Sequence, residues 1–468
     1  MKILLVTYFI APLQKIGSVR WTKISKYLKK EYGVQIDVLT MEKDFDNGSS
    51  LFSVEKKDSL LEADMHYFDN YVSLKYGFIA SVYRFIYYYI REIAKRENTL
   101  NQSQDGVAFD IKDIKTTKEE KNILGIKAVD MIKDDIKNNI QFWMSKIKDS
   151  LECMDSIKTC IHYIQEKTMD YDVVISTYSP IWTHFVAKKI KKINPGITWI
   201  ADFRDAYAVD LLPAKEFEKR KTFASDHLKS ANAVVKVLEE MNLFLPTGIR
   251  EYIITNGYDM DEATEPQKPH RFNFVFTGSL YGEKRDLTPL FEAIDGLCRE
   301  GKIDISDISV DYAGQNGSAI HNMARKFKLH DIVNNYGVIG RKEALKLQSS
   351  CAILLLADWN TKENKPCWSG KAYEYMMAKK PIVFIMSGDV PGSLPSRNIN
   401  KLGGVCYEKA NNKETMKLLK QFILEQYNCW KKTGDIFLER DEDYVESFSY
   451  KKIASNVWDL LKISKEFL

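Results

Sequence analysis

Prolines and glycines are few, 12 and 23 among 468 residues, which excludes collagen-like and low-complexity architectures. An excess of one charge is missing too. The 68 Lys and Arg stand against 64 Asp and Glu, so the net charge is 68 − 64 = +4, too small for nucleic-acid binding driven by bulk charge. Any electrostatic partner is then met by a local patch. No apolar run reaches 18 residues, because Arg84 interrupts the best candidate, Phe78 to Ile90, and the chain is not expected to span a membrane. The seven cysteines, at 153, 160, 298, 351, 367, 406 and 429, form no CxxC pair and have no His at zinc-ligand spacing. Reduced thiols in a cytoplasmic protein fit that pattern best. Neither HExxH nor GxSxG occurs, so zincin and α/β-hydrolase mechanisms have no anchor. Asp259-Met260-Asp261 and Asp441-Glu442-Asp443 are short acidic repeats of the kind chance supplies in a chain with 28% charged residues, and no metal is assigned to them.

What is present is alternation. Residues 2–7 form a β-rich apolar run, a loop with Pro12 and Gly17 follows, Trp21, Ile24, Tyr27 and Leu28 fall at helical spacing, and Val34 to Leu39 resumes a strand. Residues 41 to about 169 break this rhythm and read as a largely helical insertion with a loose loop near Asn98 to Gly106. The alternation returns with Val173–Ser176, Thr198–Ala201, Ala233–Val237 and Tyr252–Ile254 as strands. The stretch 265–270, polar with two prolines, is a linker. Beyond it Phe272–Thr277, Val310–Ala313, Ile353–Leu356 and Ile382–Ile385 supply a second set of buried strands. Two doubly wound α/β units follow, an N-terminal domain over 1–262 carrying the insertion and a C-terminal domain over 270–440. Residues 441–468 are expected as a helix packing back toward the first domain.

Open parallel sheets bind ligands beyond the carboxyl ends of their strands, so the loops there hold the candidate residues. Asp202-Phe203-Arg204-Asp205 is either a solvated loop or a cluster that orients a substrate hydroxyl. His184, behind Tyr178-Ser179-Pro180, is either a core histidine or one that faces the same crevice. In the second unit Gly278 to Arg285 carries two glycines with Lys284 and Arg285, a loop that suits a phosphate or is simply a basic turn. If Ser369 caps a helix, Lys371 and Glu374 share its first-turn face, the cation suiting a phosphate and the carboxylate suiting two cis hydroxyls of a ribose.

Taken in order, these residues resemble the retaining glycosyltransferases of family 4, which have the GT-B fold. The carriers are Met1-Lys2-Ile3-Leu4-Leu5-Val6 with Pro12, Gly17 and Arg20; Ser179-Pro180 with His184; Trp199 to Asp205; Thr255-Asn256-Gly257-Tyr258-Asp259; Phe276-Thr277-Gly278-Ser279; and Gly370-Lys371-Ala372-Tyr373-Glu374-Tyr375 followed by Lys380-Pro381-Ile382. The resemblance implies two Rossmann-like domains facing across a cleft, a nucleotide-sugar donor (UDP-sugars favoured) on the second and a glycan or lipid-linked acceptor on the first. It implies ribose binding by Glu374, diphosphate binding by Arg285 or Lys284 with Lys371, and donor contacts from Gly17, Gly278, Ser369 and Gly370. Asp205 or His184 would occupy the catalytic position, transfer would be metal-independent with no cofactor, and the setting would be bacterial surface polysaccharide synthesis. One position departs from the family's pattern: the Glu that relatives carry eight residues before the ribose-binding one is Pro366 here, with Glu363 nearby as a substitute. A nucleotide-sugar epimerase of the same fold and a non-catalytic nucleotide-sugar binder remain alternatives.

The stretch 83–96 mixes aromatics with Arg84, Arg91, Lys95 and Arg96. It reads equally as a helix packed on the first domain or as an amphipathic helix at the inner face of a membrane.

Overall fold

The computed structural model describes residues 1–43, 45, 55–88, 144–167, 170–207, 214–282, 284–362 and 364–465. Two parallel sheets organise them. The first has seven strands, β1 (Lys2–Val6), β2 (Gln35–Met41), β3 (Asn70–Leu74), β4 (Val173–Tyr178), β5 (Thr198–Phe203), β6 (Ala233–Lys236) and β7 (Arg250–Ile253), in the order β3-β2-β1-β4-β5-β6-β7. The second has six, β8 (Phe272–Thr277), β9 (Ile308–Ala313), β10 (Val333–Asn335), β11 (Ile353–Asn360), β12 (Ile382–Gly388) and β13 (Gly404–Glu408), in the order β10-β9-β8-β11-β12-β13. Runs such as Ile3-Leu4-Leu5-Val6 and Ile353-Leu354-Leu355-Leu356 are buried along their whole length because helices cover both faces of each sheet. In both sheets the chain reverses its direction of winding, at β1/β4 and at β8/β11, and a crevice opens beyond the strand ends at each switch point.

The Ile16–Tyr32 helix buries Trp21, Ile24, Tyr27 and Leu28, the stripe its spacing demands. Against the same stripe lie Ile453, Val457, Leu460 and Leu461 of the Tyr450–Lys465 helix, with Trp458 stacked on Tyr32 at 5.0 Å. A helix that follows the whole second domain therefore completes the first domain's core. In the second domain Phe272, Phe274 and Phe291 pack with residues of the Thr288–Arg299 and Asn412–Thr433 helices.

Three strands lie outside the sequence expectation. β3 falls inside the 41–169 stretch, which is therefore not helical throughout; it extends the first sheet in parallel beyond β2, Asp37 opposite Asn70. As an edge strand its residues are only half-covered, so it lacks the continuous apolar run that marks its neighbours. β10 is only three residues long, and β13 begins at Gly404 after a short helical turn. Elsewhere the described part of the stretch is helical over Ser59–Ala63, in a 3-10 turn over Asp64–Tyr67, and over 78–88 and 144–165, while the loop expected near 98–106 lies outside the described residues.

The 78–88 helix corrects the proposed lipid-facing role of Arg84. That side chain is buried, with Nη1 2.6 Å from Glu152 and the guanidinium 4.4 Å from the centre of the Tyr76 ring. The helix instead turns Phe78, Ile79, Val82 and Ile86 outward. Arg91, Lys95 and Arg96 lie outside the described residues. Among the described residues no helix is long and apolar enough to cross a membrane, and all seven cysteines are free thiols.

Candidate functional site

The second domain's side of the crevice is built on the ends of β8 and β11. Gly278, directly after β8, has φ 137°, a conformation open to glycine but strained for other residues, and the Lys371 side chain passes over it. Lys371 Nζ donates to Glu374 Oε2 at 2.8 Å, both residues lying on the Gly370–Ala378 helix. Glu374 also accepts from Gln348 Nε2 at 3.1 Å, and its Oε1 is 3.7 Å from Arg341 Nε. Burial opposes its ionisation, yet Lys371 and Arg341 outweigh burial and hold the carboxyl below the usual range. Arg285 donates to the Ser279 carbonyl at 3.2 Å, stacks 4.5 Å from the Tyr281 ring centre and stands 3.8 Å from Asp358, while its Nε has no partner. Lys284 lies 5.3 Å from the Trp359 ring centre. Burial pushes the Asp358 carboxyl up against the pull of Arg285. Ser369 occupies the N-cap position in extended conformation, as the spacing of Lys371 and Glu374 requires, but its hydroxyl accepts no capping bond. Glu363 lies outside the described residues.

Across the crevice, the Arg204 guanidinium stacks on Phe9 at 4.7 Å and fills the space above Gly17, where a Cβ would overlap it. Close approach of Arg204 is thus the local reason for glycine at 17. Asp205, 3.7 Å from Arg204, is largely exposed. Burial pushes the Cys367 thiol up to about 11, and Asp358, Asp205 and Glu240 add to the shift. Ile16 reaches the space above Gly370, and a pocket there is walled by Val19 and the 256–259 turn on one side and by Arg341 and Glu374 on the other.

Two expected site residues belong to the interior. Asp202 is fully buried and accepts from Arg20 Nη2 at 2.9 Å and Trp21 Nε1 at 2.7 Å, pinning the Ile16–Tyr32 helix to β5. His184 is also fully buried: Nδ1 is 2.7 Å from Ser176 Oγ, which accepts from Trp199 Nε1 at 2.9 Å. Burial pushes its pKa down to about 3, with His227 adding to the shift. A neutral, enclosed imidazole cannot meet a substrate in the crevice, so His184 is a core histidine and does not hold the catalytic position that the resemblance implies. The apolar face of the Trp182–Ile193 helix carries it inward with Val186, Ala187 and Ile190.

Behind the pocket runs a buried ionic network. Arg341 Nη2 is 2.5 Å from Glu262 and Nη1 3.6 Å from Asp58. Glu262 in turn pairs with Lys23, which lies 2.5 Å from Asp64 and 3.0 Å from Asp259. Asp64, Asp259 and Glu262 converge closely enough to ligate an ion, but the Lys23 ammonium is paired with each of them. Burial opposes ionisation of Asp259, and Lys23 and Lys26 together hold it down at about 2. In the other acidic repeat Asp441 caps a helix turn, accepting from the Tyr444 amide at 2.9 Å.

Arg341 and Gln348 were not foreseen from the sequence. Arg341 opens the Arg341–Ser349 helix after the three-residue β10, a strand too short to show as a pattern in the sequence.

The sequence matches no family model and no curated protein. Solved structures resemble the whole chain. Sucrose-phosphate synthase from Thermosynechococcus elongatus has a TM-score of 0.55 at 12% identity, covering 99% of this chain and 98% of that one. The N-terminal domain of Candida albicans trehalose-6-phosphate phosphatase has a TM-score of 0.57 at 9% identity, with 99% and 97% covered. TarM has a TM-score of 0.54 at 11% identity, with 98% and 99% covered. At such identities the likeness speaks for the fold, and two parallel-sheet α/β domains facing across a crevice make this a GT-B fold.

Proposed function

We propose that this protein is a retaining, metal-independent glycosyltransferase that moves a sugar from a nucleoside-diphosphate donor, a UDP-sugar by preference, to a glycan or lipid-linked acceptor in surface polysaccharide synthesis. One observation carries the reading: Glu374 and Lys371 lie together at a helix N-terminus beside Gly278, and the first domain's Ile16 reaches Gly370 of the same helix next to Gly17, over which Arg204 is seated. In this role Glu374 accepts hydrogen bonds from the donor ribose, and Lys371 with Arg285 and Lys284 neutralises the diphosphate as the bond to the anomeric carbon breaks. Backbone amides near Ser369 and Gly370 face the same charge. Asp205 accepts from the incoming acceptor hydroxyl and orients its oxygen toward the anomeric carbon. Gly17 keeps Arg204 seated beside it.

The test is incubation with UDP-, GDP- and dTDP-sugars, with and without glycan and lipid extracts. Acceptor-dependent release of nucleoside diphosphate supports transfer; isomerised donor without acceptor makes the protein an epimerase, and binding without turnover a non-catalytic binder. Glu374→Ala should weaken UDP binding about 10- to 100-fold, the equivalent of one charged hydrogen bond. Unchanged affinity would remove the ribose assignment.

Peripheral membrane contact belongs to the same proposal and rests on the outward Phe78, Ile79, Val82 and Ile86. Co-sedimentation with lipid vesicles that is lost in Phe78→Ser/Ile79→Ser supports it; a protein that ignores vesicles ends it.

A further inference from the structure

Lys43 has no task in the reading above. It follows β2 at the carboxyl edge of the first sheet, beside Tyr8 after β1 and Tyr76 after β3. The residue is 6% exposed. Its Nζ donates to Thr40 Oγ1 at 2.7 Å and to the Met41 carbonyl at 2.8 Å, and lies 4.8 Å from the Tyr8 ring centre. An ammonium has three donors. Among the described residues the third has no acceptor and no carboxylate forms an ion pair with it.

Among the described residues the charges around it do not compensate. Glu55 acts on Lys43 from beyond ion-pair distance and is itself 3.3 Å from Lys15. Arg84 is a second buried cation nearby, with its own carboxylate, Glu152. Burial pushes the Lys43 amine down to about 7, Glu55 opposes the shift and Arg84 adds to it. An uncompensated buried charge costs several kcal/mol, and an apolar side chain would be more stable in this position. Lys43 is also near the reaction crevice: Tyr8 packs edge-on against Phe9 at 5.2 Å, and Phe9 lies under Arg204.

We propose that Lys43 anchors an oxyanion carried by the acceptor, a phosphate or a carboxylate, which enters beside Tyr8 at the carboxyl ends of β1 to β3 and supplies the missing counter-charge. The inference rests on the first domain holding the acceptor of a donor bound at Glu374.

The experiment uses the full chain saturated with UDP, so that the donor-side cations are occupied. Methyl phosphate and methyl glucuronide (its carboxylate form) are titrated separately by calorimetry, and the arm that binds identifies the anion. Binding should weaken about tenfold per pH unit above 7, as the free amine loses its proton. Lys43→Met should lose at least tenfold in probe affinity while its melting temperature holds or rises, since a buried charge has been removed; Lys43→Gln repeats the test with a polar side chain. Equal probe affinity in Lys43→Met and the parent overturns the proposal, as does a parent that binds UDP but neither probe. If UDP itself does not bind, the donor assignment falls, and the same titrations without UDP still decide Lys43.

Discussion

Arg341 Nη2 and Glu262 Oε2 are 2.5 Å apart, and this ion pair ties the Arg341–Ser349 helix of the second domain to the turn after β7. The same guanidinium faces Glu374. A group proposed to grip the donor is thus joined, through one side chain, to the first domain's buried network.

Arg341→Met leaves Glu262 and Glu374 without that partner. Removing one member of a buried pair costs about 3 kcal/mol. Urea denaturation should show that loss, and calorimetry should show weaker UDP binding than in the parent. A variant with full stability and full affinity would mean that the bridge does not hold Glu374 in place.

Gly17→Ala places a methyl where the Arg204 guanidinium sits. Alanine favours the helix by about 0.5–1 kcal/mol, so stability should barely change. A shift of Arg204 by about 1 Å can cost about 100-fold in turnover. Steady-state rates beside a melting curve check this; unaltered rates would show that the contact is idle.

Acid should destabilise the first domain through His184. Its folded pKa, about 3, lies below the unfolded value of 6.5, so the unfolded chain takes up the proton first. Stability is flat above pH 6.5 and falls by about 1.4 kcal/mol per pH unit for this group as pH drops toward 3. His184→Asn, which keeps a nitrogen near Ser176, should show a shallower fall between pH 6 and 4 in denaturation midpoints. Parallel pH profiles for the two proteins would contradict the assignment.

Leu461 is fully buried between the last helix and the first domain. Leu461→Ala should cost about 2–5 kcal/mol, depending on how far the cavity collapses. The loss should appear in a transition that reports the first domain, for example the fluorescence of Trp21.

Much of the fold was legible because a doubly covered parallel strand is a run of apolar residues with no alternation, as in Ile3 to Val6 and Ile353 to Leu356. β3 and β10 were illegible for the converse reason: at a sheet edge Asn70–Leu74 needs only partial cover, and Val333–Asn335 is too short for a pattern. On the candidate site, Lys371 and Glu374 were legible because helix spacing puts residues three apart on one face, and they do meet. Burial was not. Asp202 and Asp205 are three residues apart in one charged string, yet one is fully enclosed and the other largely exposed. His184 likewise sits on the inner stripe of an amphipathic helix, and a lone histidine carries no mark of the face it will take. Arg341 reaches Glu374 from 33 positions away, through a tertiary contact that no local pattern encodes.

The placement of Tyr450–Lys465 on the first domain also bears on how the chain is made. The stripe Trp21, Ile24, Tyr27 and Leu28 leaves the ribosome more than 400 residues before the Ile453–Leu461 segment that covers it. Until then this apolar surface lacks its partner, whereas all the strands of the second sheet have already emerged. Vectorial synthesis therefore favours a second domain that closes first and a first domain that waits, with its sticky face as the point at which chaperones or neighbouring nascent chains would engage.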